Sequence, residues 1–199
     1  MTDQNSEEPT RRDFIYIAAG GAAAIGGAMT IWPFVHQMNP AADTLALGSI
    51  RKDISSLGVG QEITVMFRGG PVFIRRRTAT DIEEAQAVDI DTLPDSLARN
   101  ENLPDTAPGI DANRVLNTEF LIVKGNCTHL GCVPVSQSGD YDGWFCPCHG
   151  SHYDTSARIR RGPAPENLPV PTYAFEQDGA IVKLGANAEE VAAAGWSVA

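Results

Sequence analysis

The chain divides first by hydropathy. From Phe14 to Val35 the sequence FIYIAAGGAAAIGGAMTIWPFV holds no charged residue over twenty-two positions. At ~1.5 Å per residue such a helix reaches roughly 33 Å, enough to cross the hydrocarbon core of a bilayer. The uncharged stretch continues to Ala42, broken only by His36. Beyond it the pattern turns to short β-rich runs. Glu62–Phe67 and Val72–Arg76 flank Arg68-Gly69-Gly70-Pro71, which predicts a hairpin. Phe120–Val123 reads as another strand, and Thr172–Gln177 with Ala180–Leu184 flanks the two-residue turn signal Asp178-Gly179. Residues 78–117 follow neither rhythm. Thr80-Asp81-Ile82-Glu83 resembles a capping box opening a short helix, and a loop rich in Pro and Asn follows. This segment is expected to be an insertion on a β framework. The tail after Gly185, ANAEEVAAAGWSVA, predicts a short helix and carries no functional signal.

The basic residues orient the apolar segment. Arg11 and Arg12 abut its N-terminal end, and the next Lys or Arg after it is Arg51. The positive-inside rule places the N-terminus in the cytoplasm and the rest of the chain outside. Thr10-Arg11-Arg12-Asp13-Phe14-Ile15 also resembles a twin-arginine export signal. That route carries folded proteins, so the domain behind the signal is expected to fold before it crosses. A cleaved signal would have a shorter apolar core and a small-x-small site; Ala41-Ala42 and Ala46-Leu47-Gly48 are imperfect candidates. The spacings Ala22/Gly26 and Ala23/Gly27 would let another helix approach closely. A retained single anchor is therefore expected, with His36–Gly48 as a neck.

Composition narrows the class. The formal net charge is −10 and the fifteen basic residues are scattered, apart from Arg75-Arg76-Arg77. A nucleic-acid binder would show a basic stripe, so no nucleic-acid partner is expected. Arg75–Arg77 are expected at a solvated strand end or on a salt-bridged surface. Plentiful Gly and Pro with few aromatics favour a loop-rich, mainly β protein.

The chemistry is concentrated in two boxes. They read Cys127-Thr128-His129-Leu130-Gly131-Cys132 and Cys146-Pro147-Cys148-His149-Gly150-Ser151-His152-Tyr153, and they contain all four cysteines and three of the four histidines. C-x-H, a gap of sixteen residues, then C-x-x-H offers two thiolates and two imidazoles. That is the donor set of a Rieske 2Fe–2S centre, in which two histidines replace two cysteines on one iron. A structural zinc site is the bland alternative, but zinc knuckles usually present C-x₂₋₄-C pairs, and each box here gives one Cys, one His and a spare Cys.

On these boxes, together with the twin-arginine start, single anchor, short neck, β head and Gly162-Pro163-Ala164-Pro165-Glu166-Asn167-Leu168-Pro169, the chain resembles the Rieske iron–sulfur subunits of bacterial cytochrome bc complexes (ubiquinol–cytochrome c reductase). The resemblance implies an antiparallel β-sandwich head with a cluster-binding subdomain. Its boundaries would be 1–13 for the cytoplasmic N-terminus, 14–35 for the anchor, 36–48 for the neck and 49–199 for the periplasmic domain. The cluster would lie within about residues 125–170. Cys127 and Cys146 would ligate the buried iron and His129 and His149 the outer one, with Cys132 and Cys148 joined as a disulfide. Ser151 and Tyr153 would donate hydrogen bonds to cluster sulfurs. Leu130, Gly131 and Pro163 would form the shell around it.

The same resemblance implies one 2Fe–2S cofactor and a quinol hydrogen bond to His149. Its partners would be a cytochrome b subunit, a cytochrome c-type subunit and ubiquinol, within a dimeric complex of the inner membrane. Two rival readings are the small Rieske subunit of a periplasmic arsenite oxidase and a non-redox zinc module. The Cys146–Tyr153 box, the loop Gly162–Pro169 and the retained span favour the cytochrome bc reading over the arsenite oxidase, and the spacing of the boxes argues against zinc.

Overall fold

The computed structural model describes residues 10–39 and 48–199. The chain separates into two units at Ala46/Leu47, and each stands by itself. Residues 1–9 and 40–47 lie outside the described residues, and with them the cleavage candidates at Ala41-Ala42 and Ala46-Leu47 and most of the neck.

Helix α1 runs Arg11–His36 and is long and apolar enough to cross a membrane. It begins three residues before the uncharged run. The Thr10 side chain accepts from the Asp13 N–H at 3.3 Å, and the Asp13 carboxylate accepts from the Thr10 N–H at 2.8 Å. This reciprocal box satisfies N–H groups that a helix start leaves unpaired, and it puts Arg11 and Arg12 in the first turn.

The head contains three antiparallel sheets. Strand β1 (Ile50–Asp53) pairs with β10 (Ile181–Leu184), which pairs with β9 (Tyr173–Glu176). The second sheet has the order β2 (Glu62–Phe67), β3 (Gly70–Arg76), β4 (Phe120–Lys124). The third runs β5 (Val135–Ser136), β6 (Trp144–Cys146), β7 (Ser151–Tyr153), β8 (Ile159–Arg161). Two short helices, α2 (Ala79–Ala87) and α3 (Ala188–Ala193), complete the described elements together with three 3₁₀ turns.

The second sheet is the middle layer of the head. Val72 to Arg75 and Phe120 to Val123 are buried without a break. Successive strand residues face opposite sides, so continuous burial means that both faces are covered. Phe73 stacks on Trp144 of β6 with ring centroids 6.1 Å apart. On the other face, Phe120 lies 6.0 Å from Phe175 of β9. The second cysteine–histidine box therefore stands on a sheet backed by the middle layer, and the first follows β4 of that layer.

Local chemistry corrects several expectations. The β2–β3 loop is only Arg68-Gly69, both left-handed at φ 49° and 80°, while Gly70 and Pro71 already pair in the strand. This matches the twist that two-residue hairpins require. The Asp178-Gly179 turn is wider: Ile181 pairs with Glu176, so Gln177–Ala180 form the loop, with three successive residues at positive φ. The α2 cap is Thr78 with Asp81, two residues ahead of the motif predicted from sequence.

Arg75 and Arg77 are not solvated. They are 3% and 2% exposed, and they pair with Asp81 at 3.1 Å and Asp111 at 2.7 Å. The sequence pattern could not show this, because both carboxylates come from the 78–117 segment. That segment is built into the head rather than appended to it. Arg114, fully buried, donates to the carbonyls of Ser156 (2.7 Å), Leu168 (2.8 Å) and Ala98. Burial lowers its pKa to about 10, which still leaves it charged at neutral pH. The tail is likewise fastened: Trp196 donates its indole N–H to the Tyr173 carbonyl at 3.2 Å, and the Ala199 N–H reaches Asn113 Oδ1 at 2.7 Å.

Candidate metal centre

Two loops of similar construction carry the boxes. The first leaves β4 and the second is the tip of the β6–β7 hairpin. In each, the carbonyl of the leading cysteine accepts from a glycine N–H four residues on: Gly131 to Cys127 at 2.8 Å, and Gly150 to Cys146 at 3.0 Å. Both glycines are left-handed, at φ 81° and 77°, a conformation that costs other residues energy. Each loop thus curls around its own cysteine. A disulfide between Cys132 and Cys148 joins the two loops, with Cα atoms 6.7 Å apart.

The donors are graded by depth. Cys127 and Cys146 are free thiols, 3% and 1% exposed. His129 is half-buried and His149 exposed. The two imidazole rings meet edge to face with centroids 4.5 Å apart. His129 Nδ1 is buried without a hydrogen-bond partner. An orphaned ring nitrogen beside two buried free thiols is what a metal site supplies, since buried polar atoms are otherwise paired. The sulfurs of Cys132, Cys146 and Cys148 also lie within 4.8 Å of one another. That trio is not a thiolate site, because two of its members form the disulfide.

Electrostatics differ between the two free thiols. Burial opposes ionisation of Cys127, yet hydrogen bonds from the Tyr153 hydroxyl, the His129 N–H, Cys146 and Ser151 outweigh it, and the pKa is lowered. Burial raises the Cys146 pKa, and the neighbouring Cys127 adds to the shift. The Tyr153 hydroxyl donates to Cys127 Sγ at 3.3 Å. Burial and that bond push the Tyr153 pKa up, so it remains a proton donor. Ser151 Oγ, on the same face of β7, accepts from the Ala164 N–H at 3.2 Å.

A third loop, Gly162–Asn167, closes over these two. Thr128 Oγ1 donates to the Glu166 carbonyl at 2.7 Å and accepts from the Glu166 N–H at 3.3 Å. Asn167 is fully buried; its carboxamide accepts from the Ile159 N–H and donates to the carbonyls of Asp95 and Leu97. Gly162 has φ 110°, and a Cβ there would meet the Ser151 Cα at 2.5 Å. Pro163 is exposed while Ala164 is buried. Leu130 is 72% exposed, and Val133 and Val135 further along the chain are exposed as well.

The structure therefore gathers Cys127, His129, Cys146, His149, Ser151, Tyr153, Leu130 and Gly131 at one end of the head, with Pro163 on the third loop. Arg11 and Arg12 belong to the separate helical unit. Thr128 and the contacts of Asn167 went unnoticed in the sequence, where a threonine inside a box and an asparagine in a proline-rich loop carry no distinguishing signal. Cys127, Cys146, His129 and His149 are the donors available to a 2Fe–2S cluster. Two thiols and two imidazoles, one ring nitrogen unpaired, fit that group.

Comparison with known proteins agrees. A family described as "Rieske [2Fe-2S] domain" matches residues 81–186, so the match runs through much of the segment read as an insertion. One described as "Ubiquitinol-cytochrome C reductase Fe-S subunit TAT signal" matches residues 1–41. The ubiquinol–cytochrome c reductase iron–sulfur subunit of Cereibacter sphaeroides is 50% identical over 188 residues, covering 93% of this chain and 100% of the relative. That of Rhodospirillum rubrum is 49% identical over 180 residues, covering 88% and 92%. Among solved structures, a chain of a hyperthermophilic respiratory Complex III superposes with a TM-score of 0.50 over 84% of this chain and 98% of that one; at 22% identity it speaks for the fold alone. With its boxes, its β head and its apolar N-terminal helix, the chain belongs to the family of Rieske [2Fe–2S] iron–sulfur subunits of ubiquinol–cytochrome c reductase.

Proposed function

We propose that the head carries single electrons from ubiquinol, bound at a cytochrome b subunit, to the haem of a cytochrome c-type subunit. The observation that carries this reading is the gradation of donors, from buried thiols at Cys127 and Cys146 to the exposed imidazole of His149. Cys127 and Cys146 would hold the inner iron, and His129 and His149 the outer one. The cluster, when bound, supplies a one-electron couple, at about −150 to +300 mV across Rieske centres against roughly −400 mV for plant-type ferredoxins.

The chain's own groups do the rest. The ring nitrogen of exposed His149 that would not hold iron would, once deprotonated, accept a hydrogen bond from the quinol hydroxyl and take up its proton as the electron leaves. Leu130, Val133 and Val135 seat the tip in an apolar recess and exclude water from that bond. Ser151 and Tyr153 direct their hydroxyls toward the sulfurs and favour the more negative, reduced state.

α1 anchors the chain in the inner membrane, with Arg11 and Arg12 on the cytoplasmic side and the head delivered to the periplasm in folded form. Residues 36–48 act as the tether, which lets the head move between its electron donor and its acceptor within a dimeric complex.

The test is EPR of membranes containing the full chain, with and without an inhibitor of the quinol site. The expected result is a rhombic signal on reduction whose line shape changes when the inhibitor binds. Zinc in the purified protein, or iron without acid-labile sulfide, would overturn the assignment; a cluster signal indifferent to the inhibitor would remove the quinol contact.

A further inference from the structure

A carboxyl group lies between the middle sheet and the sheet that carries the second box. Glu62 of β2 is half-buried, and Ser136 of β5 donates its hydroxyl to the carboxylate at 2.9 Å. Directly across the hairpin, Glu62 pairs in register with Arg75 of β3. The Arg75 guanidinium sits 5.5 Å from the centroid of the Trp144 ring and gives one nitrogen to both oxygens of Asp81 on α2, at 3.1 Å. Its Nε and second terminal nitrogen are buried without partners, as is the indole nitrogen of Trp144. The same interface carries a second tie, from Gln137 Nε2 to the Gly60 carbonyl at 2.9 Å.

These groups are close to the proposed redox centre along the chain and across it. Trp144 stands two residues before Cys146 in β6 and pairs in register with Tyr153, which donates to Cys127. The Trp144 ring is fully buried and stacks on Phe73. A charge beside packed aromatic rings is poorly screened, which extends the reach of a proton gained or lost at Glu62.

We propose that Glu62 is a proton-binding positioning residue coupled to the redox state of the head. Reduction adds one electron at the boxes, and Glu62 takes up one proton from solvent; on oxidation both leave. The inference rests on the ligand assignment proposed above. The charged groups facing Glu62 are Arg75 from β3 and, through it, Asp81 from α2. β5 contributes the neutral Ser136 hydroxyl and β6 the indole of Trp144. Burial raises the Glu62 pKa above the ordinary carboxylate range, against the Ser136 bond and the charge of Arg75. Ionised Glu62 disfavours an added electron, so the reduction potential should fall as pH rises through its titration.

The experiment is a redox titration of the detergent-solubilised full chain with its cluster, followed by EPR between about pH 4.5 and 7. Wild type should show a falling potential over this range. Glu62→Gln keeps an amide oxygen for Ser136 and should give a higher potential without that fall. Ser136→Ala removes a donor to the ionised form, so the fall should persist but move to higher pH. Wild-type and Glu62→Gln curves that coincide, or that differ only by a constant offset, would overturn the proposal. If Ser136→Ala leaves the step where it was, Glu62 is not its source. A preparation with no cluster signal in wild type would strike down the ligand assignment itself, an outcome distinct from a cluster that ignores Glu62.

Discussion

Ser151 and Tyr153 occupy alternate positions of β7 and so share the face turned toward the boxes, while His152 between them points away to accept from the Asp140 N–H at 3.1 Å. Tyr153 already reaches Cys127 Sγ, and burial keeps its hydroxyl protonated. Hydrogen bonds to charged acceptors are worth about 1.5–3 kcal/mol, and a sulfur that gains negative charge on reduction accepts them more strongly. Ser151→Ala and Tyr153→Phe should therefore each retain the cluster and lower its reduction potential, by tens of mV up to about 100 mV. Redox titration monitored by circular dichroism checks this, and potentials unchanged in both variants would free these hydroxyls of the role. Gly162 shows the opposite kind of residue. Its function is to have no side chain, since the third loop passes against the backbone of Ser151 and Gly150.

At the scale of elements, three loops from different parts of the chain are fastened to one another. The disulfide ties the first to the second across a separation of 16 residues. Thr128 ties the first to the third, and Ser151 ties the second to the third. Closing a loop of roughly this length restricts the unfolded chain by about 3 kcal/mol in the entropic account. Replacing both Cys132 and Cys148 by serine should lower the melting temperature and release iron and sulfide earlier on heating than in wild type. Iron and acid-labile sulfide measured against temperature give the answer; identical release curves would show that the hydrogen bonds suffice. Helix α2 illustrates how one residue can serve two elements. Asp81 caps the helix by accepting from the Thr78 N–H at 2.9 Å and simultaneously holds Arg75 of the middle sheet.

Across the whole head, buried arginines hold the 78–117 segment to the cluster-bearing sheet. Arg158 is fully buried; it pairs with Asp154 at 2.9 Å and donates to the carbonyls of Ala85 (2.7 Å) and Gly109 (3.3 Å). Removing one member of a buried pair leaves an uncompensated charge and costs about 3–5 kcal/mol. Arg158→Met should destabilise the head by that amount, read from denaturant midpoints, and should loosen α2 in hydrogen exchange before the boxes open. A loss well below 1 kcal/mol would mean that Asp154 finds other partners, such as Arg160, now 3.7 Å away.

The sequence by itself determined what is local or chemically rare. Twenty-two uncharged residues dictate a helix suited to a membrane, because no other conformation satisfies its backbone there. The turn residues Arg68-Gly69-Gly70-Pro71 between β-rich runs announce a hairpin, and two cysteine–histidine boxes announce a metal centre, since few sites use that donor set. Contacts between segments far apart in the chain were decided only by the tertiary structure. Arg75–Arg77 read as a solvated strand end or a salt-bridged surface, but Asp81 and Asp111 of the 78–117 segment bury Arg75 and Arg77. Nothing in the strand Glu62–Phe67 announced the Ser136 hydroxyl that Glu62 meets. The physical reason is common to both cases. A charged side chain has the same appearance in sequence whether water or a distant carboxylate solvates it, and only packing settles which one does.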